Sequence, residues 1–175
     1  MSDVESDKDL LDDREYPVPR ELVFEVWTQA EHFARWFAPH GVEVALCEMD
    51  ARPGGTLRFQ HRFETGEVVS IRGVFEEVVA PSRLRLTFAF VDADDQPAAP
   101  PQVPDWPIGA QIVMTVELHA TPRGTRMTVH QRVAEAEHAG KPAVVRHRNM
   151  AGEGWRQTVA RLTEYLERRS TSWRS

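Results

Sequence analysis

Two polar residues sit on otherwise apolar faces of this sequence, and they are the first candidates for chemistry. His61 recurs in step with Leu57, Phe59 and Phe63, and Gln131 in step with Thr125, Met127 and Val129, at a period of two. A polar side chain turned toward apolar neighbours must find a partner or lose roughly 1–3 kcal/mol. A histidine so placed can orient a bound molecule or act as acid or base, since its reference pKa is about 6.5. It can equally serve the core by bonding a neighbouring strand or a buried water. Arg72, on the strand expected to pair with that of His61, is either a surface residue or a clamp for a carboxylate. No catalytic residue is assigned; His61 is the one candidate.

Other constellations fall short. His138 and His147 are nine residues apart and His32 and His40 eight, with no helical i, i+4 partner of the zinc-binding kind, so no metal is expected. Cys47 has no base near it in sequence, and no Gly-x-Ser-x-Gly elbow occurs. Gly152-Glu153-Gly154 lacks the Lys-Ser/Thr that completes a phosphate loop. Arg146, His147 and Arg148 read as a solvated helix face. No cofactor is implied.

The chain that must position these residues has 175 of them, 41% hydrophobic and 27% charged, which suits one globular domain. A net charge of −6 argues against nucleic acid as a partner. Apolar runs are too short for membrane insertion, and the N-terminus lacks a basic start followed by an apolar core. A lone cysteine forbids an intrachain disulfide and points to the cytoplasm. A homodimer is left open.

Residues 1–13 carry six acidic residues against Lys8, and this composition predicts a disordered acidic tail. A single domain is expected over 14–169, with a frayed C-terminus at 170–175. A strand near Arg14 to Val18 leads to Pro19, which suits a helix start. Leu22, Val23, Val26 and Trp27 space a helix to about Gln29, and Phe33, Trp36 and Phe37 a second one from Glu31. Strands follow at Val42–Met49, Thr56–Phe63 and Val68–Val79, the last bent at Gly73. Further alternation marks strands around Leu84–Phe90, Ile112–Leu118 and Thr125–Gln131. Between them, Asp92 to Gly109 holds five prolines and reads as a loop, with Trp106 and Ile108 as candidate anchors over an apolar site. Trp155, Val159, Leu162 and Leu166 form one stripe of a long final helix, in which Gly152 and Gly154 mark a kink or a close approach. The order predicts an α+β helix-grip fold: a curved antiparallel sheet of about seven strands around the C-terminal helix, with two short helices after the first strand.

Several blocks carry a resemblance. Pro19 to Thr28 and Ala34 to Pro39 look like paired helices of a known family; Arg52-Pro53-Gly54-Gly55-Thr56 matches its glycine turn. Gly73 to Leu84 matches its central hairpin, and Gly124 to Thr128 with Gly154-Trp155 completes the series. Together, over Tyr16 to Glu167, they resemble the SRPBCC or START-like superfamily, and within it the branch named after the C-terminal domain of the activator of a heat-shock protein ATPase. The resemblance implies a helix-grip fold with a hydrophobic cavity, in a group spanning lipid carriers, hormone receptors and aromatic polyketide cyclases. The eukaryotic co-chaperone carries an additional N-terminal domain for which this chain leaves no room, so chaperone activation is not the leading expectation.

The residues expected to line the cavity are Trp36, Phe37, Leu57, Phe59, His61, Phe63, Leu86, Phe88, Phe90, Met114, Val116, Met127, Val129, Trp155, Val159 and Leu162, with solid core at the ends. The function expected is binding of a small hydrophobic or aromatic molecule. One rival is a cyclase or hydrolase using His61; another is a protein-interaction or chaperone-cofactor module.

Overall fold

Alternating residues separated by tight turns favour neighbouring antiparallel strands, and that rule builds most of this sheet. The computed structural model describes residues 9–173, with side chains through Ser170. Strands β1 (Leu10–Tyr16), β2 (Glu43–Met49), β3 (Thr56–Arg62), β4 (Val68–Val79), β5 (Arg83–Val91), β6 (Ile112–Thr121) and β7 (Gly124–Val133) form one sheet in the order β1-β7-β6-β5-β4-β3-β2. Every pairing is antiparallel. Helices α1 (Arg20–Thr28) and α2 (Ala30–Trp36) connect β1 on one edge to β2 on the other, and α3 (Pro142–Trp173) closes the concave face. At 1.5 Å per residue, its 32 residues extend about 48 Å.

Curvature comes from two devices. Gly73 faces inward, where an added Cβ would lie 2.7 Å from the Phe88 Cβ and 2.6 Å from the Thr87 carbonyl oxygen. The missing side chain therefore lets β5 fold closely over β4. The register break lies not at Gly73, as the sequence suggests, but between Phe75 and Glu77.

The sheet starts earlier than the acidic composition predicts. Residues 10–13 belong to β1, with Asp12 opposite Val129 and Asp13 opposite Thr128. An edge strand needs only a neighbour's ladder, and Arg126 neutralises Asp13 with contacts of 2.9 and 2.6 Å. Of the expected tail, residues 1–8 lie outside the described residues. The last helix likewise runs through Trp173, so the fraying expected from residue 170 is not seen up to there; residues 174–175 lie outside the described part.

A cluster of aromatic rings lies beside α1 and α2. Trp27 meets Trp36, Phe37 and Trp155 at ring-centroid distances of 4.8, 5.7 and 6.1 Å. Its indole N–H donates to Met127 Sδ, and the Trp36 indole donates to the Val26 carbonyl, so neither buried ring leaves a donor unmet. Arg161 of α3 binds this helical end from outside: Nη1 donates to the carbonyls of Ala38, Pro39 and Val42, and Nη2 to that of Arg35.

Candidate functional site

Beyond its first turn, the N-terminal half of α3 is where the sheet and helix part. A cavity of about 260 Å³ opens there, walled by Phe37 and Pro39 after α2, by β3 to β7, by Leu11 of β1, by the proline-rich loop and by α3. Along α3 its lining residues His147, Met150, Ala151, Gly154, Trp155 and Thr158 follow i, i+3, i+4, i+7, i+8 and i+11. Buried Ala143 and Val144 lie before them, and Val159, Leu162 and Leu166 after them. Gly154 permits the approach of the chain entering β2, since a Cβ there would meet Pro39 at 3.4 Å.

Of the residues expected on this wall, Phe37, Phe59, His61, Phe63, Phe88, Phe90, Met114 and Trp155 are there. Trp36, Leu57, Leu86, Val116, Met127, Val129, Val159 and Leu162 are instead fully packed core, none more than 3% exposed. Period-two alternation tells inward from outward but not how far along the strand the helix stands off, which explains the division. Arg72 is exposed on the convex face and clamps nothing inside.

Gln131 borders the cavity, on the face its spacing predicts; residues that periodicity does not place on the wall include Leu11, Pro39, Val69, Ile71, Pro100, Gln102, Val103, His147, Met150, Ala151, Gly154 and Thr158. A signal existed for two of them. Stepping back by four from Trp155 along its own stripe reaches Ala151 and His147. His147 is thus not part of a solvated face; its ring lies 5.5 Å from that of Phe90 and 4.9 Å from that of Trp106. Burial holds its pKa down at about 4, so it is neutral near pH 7. Arg146 does face outward and pairs with Asp105 of the loop.

The loop covers one side of the cavity. Trp106 and Val103 are buried, Pro100 and Gln102 border the cavity, and the Gln102 amide donates to Glu67 Oε1 at 2.8 Å in the β3–β4 turn. Of the two expected anchors only Trp106 serves; Ile108 is 69% exposed. Met150 is exposed, and Phe63 and Gln102 are half-buried, so this part of the lining keeps access to solvent.

Polar groups on the wall are few. His61 Nε2 donates to the Phe37 carbonyl at 2.8 Å, and burial, with Arg161 nearby as a lesser cause, lowers its pKa. Thr158 donates to the Gly154 carbonyl within its own helix. Among the described residues, no Asp, Glu, Lys or Arg lines the cavity. Cys47, packed against the core from β2, has its thiol pushed up to about 11 by burial and is protonated near neutrality. Such a wall can hold an apolar molecule, with His61, Gln131 and the neutral His147 as points of polar contact. Among the described residues no group of three His, Cys, Asp or Glu side chains could hold a metal ion, and no helix is long and apolar enough to cross a membrane.

A half-barrel gripping a long helix over a partly filled apolar interior defines a helix-grip protein of the START-like class. The chain belongs to the family described as Activator of Hsp90 ATPase homolog 1-like protein, whose model matches residues 17–167. Solved structures agree. A crystal structure of a Nitrosomonas europaea protein is 27% identical with a TM-score of 0.71, covering 91% of this chain and 94% of that one. A solution structure of an Arthrobacter aurescens protein has a TM-score of 0.72 at 20% identity over 89% and 84% of the two chains. A Silicibacter pomeroyi protein described as AHSA1 gives 0.66 at 21% identity over 89% and 94%; at such identities the likeness is one of fold alone. No curated protein matches the chain.

Proposed function

We propose that this chain is a binding protein that holds a small hydrophobic or aromatic molecule between its sheet and α3. The observation that carries this reading is the cavity of about 260 Å³, whose wall is mostly aromatic and aliphatic and, among the described residues, bears no permanently charged side chain. Apolar walls with a few placed polar groups are the usual form of a small-molecule site, and the volume falls near the lower end of that class. The fold, typically a ligand-binding one, supports it as well. A role without catalysis is supported by the isolation of His61. One of its nitrogens is spent on the Phe37 carbonyl, and among the described residues no carboxylate on the wall orients it for proton transfer. A cytoplasmic setting accords with the single cysteine.

Native mass spectrometry of protein purified without added ligand tests the proposal, followed by thermal-shift screening against lipids and aromatics. A small-molecule adduct that disappears on denaturation, and stabilisation by members of the panel, are expected. No adduct together with no stabilised melting would end the carrier reading.

A further inference from the structure

The polar groups on the cavity wall narrow the ligand beyond the carrier reading, on which this inference rests. A backbone carbonyl only accepts, so the contact of 2.8 Å between His61 Nε2 and the Phe37 oxygen fixes the proton on Nε2. The neutral ring then presents Nδ1 as a bare lone pair. Nδ1 has no partner among the described residues, and it is not one of the buried unpaired atoms. A second proton, which would turn Nδ1 into a donor, is opposed by burial and by Arg161. His61 therefore offers the cavity an acceptor.

Two of the remaining polar wall groups are already engaged within the protein. Gln102 is held by Glu67 and Thr158 by its own helix, while Gln131 keeps a carboxamide that can donate or accept and His147 a neutral ring whose tautomer no bond among the described residues fixes, so His61 is the wall group whose free atom is set as an acceptor. Charge is unwelcome. Among the described residues the wall has no Asp, Glu, Lys or Arg, and the Arg161 guanidinium is already bonded to four carbonyls. A charged ligand would leave water with no counter-charge to meet it. Size sets the last limit: an apolar cavity of roughly 150 Å³ takes benzene, and this one holds about 260 Å³.

We infer that the ligand is an uncharged aromatic of about two fused rings, carrying a hydroxyl that donates to His61 Nδ1. Isothermal titration of the full chain at pH 7.5 with 2-naphthol, 2-methoxynaphthalene and 2-naphthoate tests it. The methoxy probe keeps the rings but loses the donor; the naphthoate adds a charge. Binding of 2-naphthol about tenfold tighter than 2-methoxynaphthalene is expected, as one net hydrogen bond gives, with 2-naphthoate weakest. His61→Phe should erase the preference for the naphthol, whereas Ile108→Ser, at an exposed residue off the cavity wall, should preserve it. Equal binding of the two neutral probes to the unmodified chain would overturn the hydroxyl assignment while leaving a carrier in place. Tightest binding by the naphthoate would overturn the requirement for neutrality. If none of the three binds, the carrier reading fails for two-ring aromatics and this inference falls with it. The comparison among probes needs no variant, so it decides the matter even where His61→Phe fails to fold.

Discussion

His147 shows how a residue's neighbours decide its chemistry. Its imidazole lies against Phe90 and Trp106, and burial alone depresses its pKa from the ordinary 6.5 to about 4. A base depressed in the folded state binds fewer protons there than in the unfolded chain, so stability is complete above about 6.5 and is lost as pH falls toward about 4. The loss should be about 2 kcal/mol once the ring's partial exposure is allowed for. His61, lowered by the same cause, acts in the same direction. Asp12, raised by burial, acts oppositely, regaining stability as it is protonated. Urea unfolding at pH 7.5 and 5.0 should therefore show a marked acid weakening that His147→Phe reduces; an unchanged slope would mean the ring is hydrated. Arg161 belongs to the same scale. Its guanidinium joins α3 to four carbonyls around the end of α2, a fork no ammonium reproduces. Arg161→Met should cost about 2 kcal/mol in the same assay, and Arg161→Lys should recover only part.

At the scale of elements, the proline-rich loop is fastened through few points, and Trp106 is the main one. It is 3% exposed, packed edge-on against Phe90 with centroids 5.4 Å apart. Trp106→Ala should cost about 3 kcal/mol, whereas Ile108→Ser should change thermal stability by less than about 0.5 kcal/mol. Equal small effects would mean the loop does not pack on the body. The elements themselves were largely legible in the sequence. Period-two runs located the six strands after the helices, and the stripe Trp155, Val159, Leu162, Leu166 located α3, because burial imposes those periods directly. β1 was only half legible. Leu10 to Asp13 pair with β7 despite their acidity, since an edge strand takes its order from its neighbour's backbone and its charges from Arg126. The site was less legible than the elements. Leu57 and Phe59 share one strand face and one chemistry, yet only Phe59 meets the cavity, because the spacing between helix and sheet is a tertiary quantity. The loop's contribution through Val103 and Gln102 had no periodic signal at all.

On the scale of the whole molecule, the interior is solid where Trp27, Phe33 and Trp36 fill it and open where α3 leaves the sheet over Phe59, Phe90 and Met114. One substitution made twice on the same helix face tests that division. Ala143 is 3% exposed within the core cluster, and Ala151, eight residues further on, borders the cavity. Both are alanines within α3, so intrinsic helix preference changes almost equally when either becomes leucine. Ala143→Leu must force volume into close-packed surroundings and should cost about 1–3 kcal/mol. Ala151→Leu has space to enter, so its added apolar surface should leave stability unchanged or raise it by about 1 kcal/mol. Ligand response should invert that order. A chain that binds a probe gains stability as the probe's concentration rises above its Kd, and the leucine at 151 occupies that volume. Thermal melts with and without 2-naphthol should accordingly show a probe-dependent shift in Ala143→Leu and none in Ala151→Leu. If both leucines cost the same and both chains respond alike, the interior has no usable void, and the space beside Trp155 is an ordinary packing gap.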